Sequence, residues 1–113
     1  MSIKIERIES AMVKEISYLL ANEIKDPDIH FVTVTACSIT NDLSFAKVYV
    51  TVLDDNERNS ILKQLNKASN FIERELSKRV DIRKMPNITC VYDESIEYAN
   101  NIEKIIEGIE ENE

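Results

Sequence analysis

A chain of 113 residues, 43% hydrophobic and 31% charged, has the size of one domain burying about 65% of its unfolded surface, and this composition excludes a disordered chain. Two cysteines, a single glycine and no apolar run near the ~20 residues of a bilayer span exclude a disulfide framework, a phosphate-cradling glycine loop and a membrane helix. The net charge of −7 does not exclude a polyanionic partner: residues 93–113 hold eight acids against Lys104, leaving thirteen acids and thirteen bases in residues 1–92.

The chain opens Ser2-Ile3-Lys4-Ile5-Glu6-Arg7, without the apolar core of a signal peptide, so a cytoplasmic protein is expected. Ile5, Ile8, Met12, Ile16, Leu19 and Leu20 recur at helical spacing, which predicts an amphipathic helix ending near Lys25, where Pro27 pushes Asp26 out of the helical region. Asp26-Pro27-Asp28 is the turn that follows.

Between residues 32 and 53 the period changes to two. Val32, Val34 and Ala36 alternate against Thr33, Thr35 and Cys37, and Ala46, Val48, Val50 and Val52 alternate against Phe45, Lys47, Tyr49 and Thr51. Thr40-Asn41-Asp42-Leu43 between them suits a turn, so the two strands are expected to form an antiparallel hairpin. Cys37 and Cys90, without a CxxC or a nearby ligand histidine, read as small core residues with reduced thiols.

Asp54, with Glu57 three residues on, resembles a capping box and opens the next helical stretch, whose apolar stripe is Ile61, Leu65, Ala68, Ile72 and Leu76. Periodicity alone predicts one helix over about 56–79. Met85-Pro86-Asn87 interrupts the chain, Ile88 to Tyr92 reads as a third strand, and Asp93 or Ser95 caps a last helix with Ile102, Ile105, Ile106 and Ile109 turned inward. The expected architecture is an α+β fold over residues 1–113, with helices covering one face of a small sheet.

Seven of the fourteen Lys and Arg residues lie between Lys63 and Lys84. On a helical wheel Lys63, Lys67, Arg74 and Lys78 share about one quadrant, opposite the apolar stripe, and Arg79, Arg83 and Lys84 carry the charge toward Pro86. Such a face is either a polyanion footprint or a solvated helix surface, and Phe71 and Tyr49 are the only plausible stacking residues near it. Binding there would rest on phosphates and shape more than on base readout.

No catalytic constellation accompanies it. His30 is the only histidine, in a loop; Cys37 lies on a strand with no predicted helix N-terminus to activate it; and the acids of the last helix are spaced like a solvated face. A non-enzymatic protein without cofactor or metal is expected.

Ile24-Lys25-Asp26-Pro27-Asp28-Ile29, Val32-Thr33-Val34-Thr35, Asp42-Leu43-Ser44-Phe45-Ala46-Lys47-Val48-Tyr49-Val50, Ala68-Ser69-Asn70-Phe71-Ile72, and Pro86 through Tyr92-Asp93-Glu94-Ser95 resemble, in order and spacing, the ribosome-binding factor A family. The resemblance covers nearly the whole chain. It implies a type II KH-like domain of order α-β-β-α-kink-α-β plus a C-terminal helix. The kink stands at an Ala-x-Gly where this chain has Ala68-Ser69-Asn70, and asparagine is the non-glycine residue that best tolerates a left-handed backbone. A kink at Asn70 and a straight helix are both open.

The resemblance further implies a non-catalytic assembly factor that binds the free small (30S) ribosomal subunit near the 5′ terminal helix of 16S rRNA, but not joined 70S ribosomes. It would promote late maturation and processing of the rRNA 5′ end, and growth in the cold. Carried over by position, the RNA-facing residues are Lys63, Lys67, Ser69, Asn70, Arg74 and Lys78, with Arg79, Arg83 and Lys84 beside them and Arg7 on the first helix. A monomer is expected, since no apolar stripe demands a dimer. The competing class is a protein-interaction module whose acidic last helix meets a basic partner; a third is a small thiol enzyme built on Cys37.

Overall fold

A computed structural model describes residues 3–24, 29 and 31–95. The elements are helix α1 (Ile3–Asn22), strands β1 (Val32–Ile39) and β2 (Phe45–Val52), a short 3-10 turn at Asp55–Glu57, helices α2 (Arg58–Lys67) and α3 (Ser69–Arg79), and strand β3 (Asn87–Tyr92). The expected turn Asp26-Pro27-Asp28, His30 and the last helix lie outside the described residues.

The α1 stripe is buried as its spacing predicts: Met12, Ile16 and Leu19 are sealed from solvent, with Ile5 and Ile8 nearly so. The helix stops three residues short of the expected Lys25. The amides of Glu23 and Ile24 both donate to the Leu19 carbonyl at 2.9 Å, closing the last turn before the proline restriction is reached.

The sheet has order β1-β2-β3, with β1 antiparallel and β3 parallel to the central β2. One expectation fails inside β1. Strict alternation puts Ala36 with Val34 and turns Cys37 away, but Val34 pairs with Val50 and Ala36 with Tyr49, so Thr35 is an extra residue and the faces exchange there. Val34, Cys37 and Ile39 are buried while Ala36 is exposed. The bulge is what lets Cys37 join the core.

The β1–β2 turn is fixed by side chains. Asp42 Oδ1 accepts from the Thr40 hydroxyl at 2.8 Å and the Ser44 amide at 3.1 Å, and Thr40 Oγ1 accepts from the Phe45 amide at 3.1 Å. The residue driven left-handed is Leu43, at φ 62°, rather than Asn41 or Asp42, whose types favour it.

Asp54 does act as a cap, but of the 3-10 turn: its carboxylate accepts from the Asn56 amide at 3.0 Å, and α2 begins only at Arg58. The single helix that periodicity predicts is two helices meeting at Ala68. Ile61 and Leu65 of α2 and Ile72 and Leu76 of α3 continue one apolar stripe against the sheet, together with Val48 and Val50 of β2. Packing is the same on both sides of the break, so hydrophobic spacing cannot reveal it.

With α1, α2 and α3 over one face, the other face presents Thr33, Ala36, Ser38, Phe45, Lys47, Tyr49, Asn87 and Thr89. The sheet edges also receive helix side chains. Glu9 of α1 accepts from the Ile39 amide at 2.7 Å, Asn66 of α2 pairs with Cys90, and Glu73 of α3 accepts from the Ile88 amide at 2.9 Å. These bonds satisfy backbone donors that face away from β2.

Candidate nucleic-acid interface

Burial of Ile61 and Leu65 turns Lys63 and Lys67 of α2 outward, and burial of Ile72 and Leu76 does the same for Arg74 and Lys78 of α3. All four cations are exposed. They stand two on each side of the break, with Ser69 half-buried and Asn70 exposed at the start of α3.

The break has its own geometry. Ala68 sits at φ −88° and ψ 5°, its amide is shared between the carbonyls of Gln64 and Leu65 at 3.1 Å each, and its carbonyl accepts from Ile72 at 3.0 Å. This is the bridge region of backbone space, open to any residue. Among the described residues only Phe31 and Leu43 are non-glycine residues at positive φ, so Asn70 is not left-handed. The interruption therefore forms at Ala68, needing neither glycine nor asparagine.

Asn66 and Glu73 show what the break accomplishes. Seven helical residues separate them by about 10.5 Å of rise, whereas their partners Cys90 and Ile88 are two strand residues, about 6.6 Å, apart. The two side chains, one on each side of the interruption at Ala68, converge on one strand edge. Neither residue is marked in the sequence by anything but its polarity, because its partner lies on a distant strand.

The remaining predicted site residues separate. Arg79 turns to α1, with nitrogens 3.9 Å from Glu15 and 3.8 Å from Glu23 and its guanidinium 5.1 Å over the Tyr18 ring. Lys78 Nζ donates to Glu75 Oε2 at 3.0 Å, and this hydrogen bond is the main reason the Glu75 carboxyl lies below its ordinary value. Arg83 and Lys84 are exposed in the loop before β3. Asp42 titrates below its usual range mainly through the Thr40 hydroxyl and the Ser44 amide, with a smaller contribution from Lys84. Arg7 is exposed on α1, across a shallow groove from Val80 and Asp81.

Of the two aromatic residues expected near the cations, Phe71 is half-buried on α3, while Tyr49 lies on the sheet face away from the helices. The thiols are poor nucleophiles. Burial, with smaller contributions from Glu9 and Cys90, pushes Cys37 up to about 12, and burial pushes Cys90 up to about 11. Among the described residues no three His, Cys, Asp or Glu side chains are placed to hold a metal, and no helix is long and apolar enough to cross a membrane.

Comparison with known proteins gives a consistent result. The profile of the family described as Ribosome-binding factor A matches residues 4–106. The chain is similar to "Ribosome-binding factor A" of Staphylococcus epidermidis, with 45% identity covering 99% of this chain and 97% of that protein. It is equally similar to the protein of that name from Macrococcus caseolyticus, at 45% identity over 94% of each. Among solved structures, the fold is similar to the crystal structure of ribosome-binding factor A from Thermus thermophilus, at a TM-score of 0.61, 25% identity and coverage of 77% of this chain and 89% of that one. The solution structure of a putative ribosome binding factor A from Thermotoga maritima gives 0.63 and 27%, with coverage of 77% and 88%.

Proposed function

The chain belongs to the ribosome-binding factor A family, and from that premise we propose that it binds the free small (30S) ribosomal subunit through RNA, using the cationic surface of α2 and α3. The observation that carries the proposal is the placement of Lys63, Lys67, Arg74 and Lys78, all exposed, about a break whose outer rim is Ser69 and Asn70. The interruption at Ala68 divides the cations into two exposed pairs, one on each helix, that can meet successive phosphates of a folded RNA. A homology model of the Thermus thermophilus protein, fitted into a map of a 30S complex, shares the fold at a TM-score of 0.61 and 22% identity and supports the choice of partner.

The finer reading is that the protein acts late in maturation near the 5′ terminal helix of 16S rRNA, promotes processing of the rRNA 5′ end and supports growth in the cold. It would act in the cytoplasm as a monomer and by binding alone. Holding a maturing RNA conformation requires affinity for phosphate arrays and no bond-making chemistry.

Co-sedimentation with separated ribosomal fractions at two salt concentrations tests the proposal. Binding to free small subunits, absent from joined 70S ribosomes, weakened by salt and abolished by Arg74→Glu with Lys78→Glu, is the expected result. Unchanged binding by that double variant refutes the assignment of this face. Loss of binding only on neutralising Glu103, Glu107 and Glu110 would support the protein-interaction module instead.

A further inference from the structure

The sheet face opposite the helices has a composition that core packing does not explain. None of the residues of the three strands is Asp or Glu, in a chain with 21 acids, and the outward row Ser38–Lys47–Thr89 crosses all three strands with one cation and two hydroxyls. Phe45 and Tyr49 flank Lys47 on the same face of β2, with Phe45 59% exposed and Tyr49 half-buried. Large aromatic side chains are ordinarily buried for the area they contribute.

We propose that this face is a second RNA-binding surface, on which Phe45 and Tyr49 stack unpaired bases while Lys47 contacts the phosphate between them. Four strand residues set the two rings about 13 Å apart, far beyond the ~3.4 Å rise of stacked nucleotides, so they receive bases splayed from a single strand rather than neighbours in a duplex. Every base offers a ring face, which makes such a platform tolerant of sequence. Ser38 and Thr89, beside Lys47, supply hydroxyls for base edges or a ribose.

Charge continuity favours RNA over other occupants. Phe45 pairs with Asn87 at the start of β3, next to the loop that carries Arg83 and Lys84, so a cationic rim leads from the end of α3 to the aromatic end of the face. Asp93 marks the other end, where it follows β3 and accepts a hydrogen bond from the Thr35 hydroxyl. A single strand leaving a duplex held by α2 and α3 meets Arg83 and Lys84 before it reaches Phe45.

This inference rests on the proposed RNA-binding function, and the two fail separately in one experiment. The binding of a labelled single-stranded oligouridylate and of free small subunits is measured for the wild type, Phe45→Ser, Phe45→Tyr and Arg74→Glu with Lys78→Glu, with thermal unfolding of each. Phe45→Ser is expected to lose about 5- to 150-fold in oligouridylate affinity, the loss of one stacked base, with unchanged unfolding and with Phe45→Tyr near wild type. Equal affinity of Phe45→Ser and wild type, or no oligouridylate binding by the wild type, overturns the platform while leaving small-subunit binding to stand. Small-subunit binding that Phe45→Ser weakens with oligouridylate binding intact would assign the face to a protein component and likewise overturn it. Absence of small-subunit binding by the wild type refutes the proposed function itself.

Discussion

Asn66 holds Cys90 by both of that residue's backbone groups: its Nδ2 donates to the Cys90 carbonyl at 3.1 Å while its Oδ1 accepts from the Cys90 amide at 2.8 Å. The side chain thus takes the place a neighbouring strand residue would occupy, one residue before the exposed Lys67 and two before the break at Ala68. Anchoring to the sheet and presentation of cations are functions of adjacent residues on one helical turn.

Removing that side chain leaves two partly buried backbone groups without their partner. Asn66→Ala is expected to destabilise the protein by about 1–3 kcal/mol, or roughly 4–8 °C in Tm per kcal/mol. Urea unfolding with an unchanged slope would measure it. Asn66→Asp, which keeps the acceptor for the Cys90 amide and loses the donor to its carbonyl, should fall between wild type and Asn66→Ala.

Because the break lies at Ala68 with ordinary backbone angles, glycine is not required at position 70. Asn70→Gly is expected to cost about 0.3 kcal/mol, the gap between asparagine and glycine in helix propensity, through the flexibility it adds at the start of α3. A left-handed Asn70 would give the opposite sign. Denaturant midpoints of the two proteins decide between these geometries.

Arg79 and Arg74 should separate stability from binding. Arg79→Ala loses the Tyr18 ring contact and the Glu15 and Glu23 pairings and is expected to cost about 0.5–1.5 kcal/mol of stability, with RNA affinity nearly unchanged. Arg74→Ala is expected to do the reverse, lowering the slope of log affinity against log salt by about 0.7–0.9 for one lost phosphate contact. Salt titrations of both variants check the assignment.

The two thiols predict an alkaline limit to stability. Each folded-state value lies above the ordinary 9.0, so the unfolded chain releases these protons first, and stability that is complete below pH 9 declines as pH rises toward about 11 for Cys90 and about 12 for Cys37. Unfolding midpoints across pH 8–11 should fall less steeply in Cys37→Ala with Cys90→Ala than in the wild type. In the native state neither thiol should react with an aromatic disulfide reagent at pH 8.

Much of this architecture is legible in the chain. The α1 stripe, the hairpin and the buried side of β2 follow from apolar period alone, because each depends on neighbours a few residues away. The Thr35 bulge, Leu43 rather than Asn41 at positive φ, and the break at Ala68 do not, because each is set by contacts between segments. The cationic quadrant was readable as a wheel, yet one wheel cannot show that Arg79 is drawn to α1 while Arg83 and Lys84 lie toward the sheet end. Neither could it mark Asn66, whose role exists only once β3 is in place.

The side chains of Glu9, Asn66 and Glu73 have a consequence for how this protein meets others. A foreign strand that tried to pair with the sheet edge at Ile39, Ile88 or Cys90 would have to displace the helix-borne acceptor already bonded there. Peptide capture at these positions, domain swapping through them and fibril templating are all disfavoured at once. At these three positions the sheet edges offer no free amide donor to a second copy of the chain.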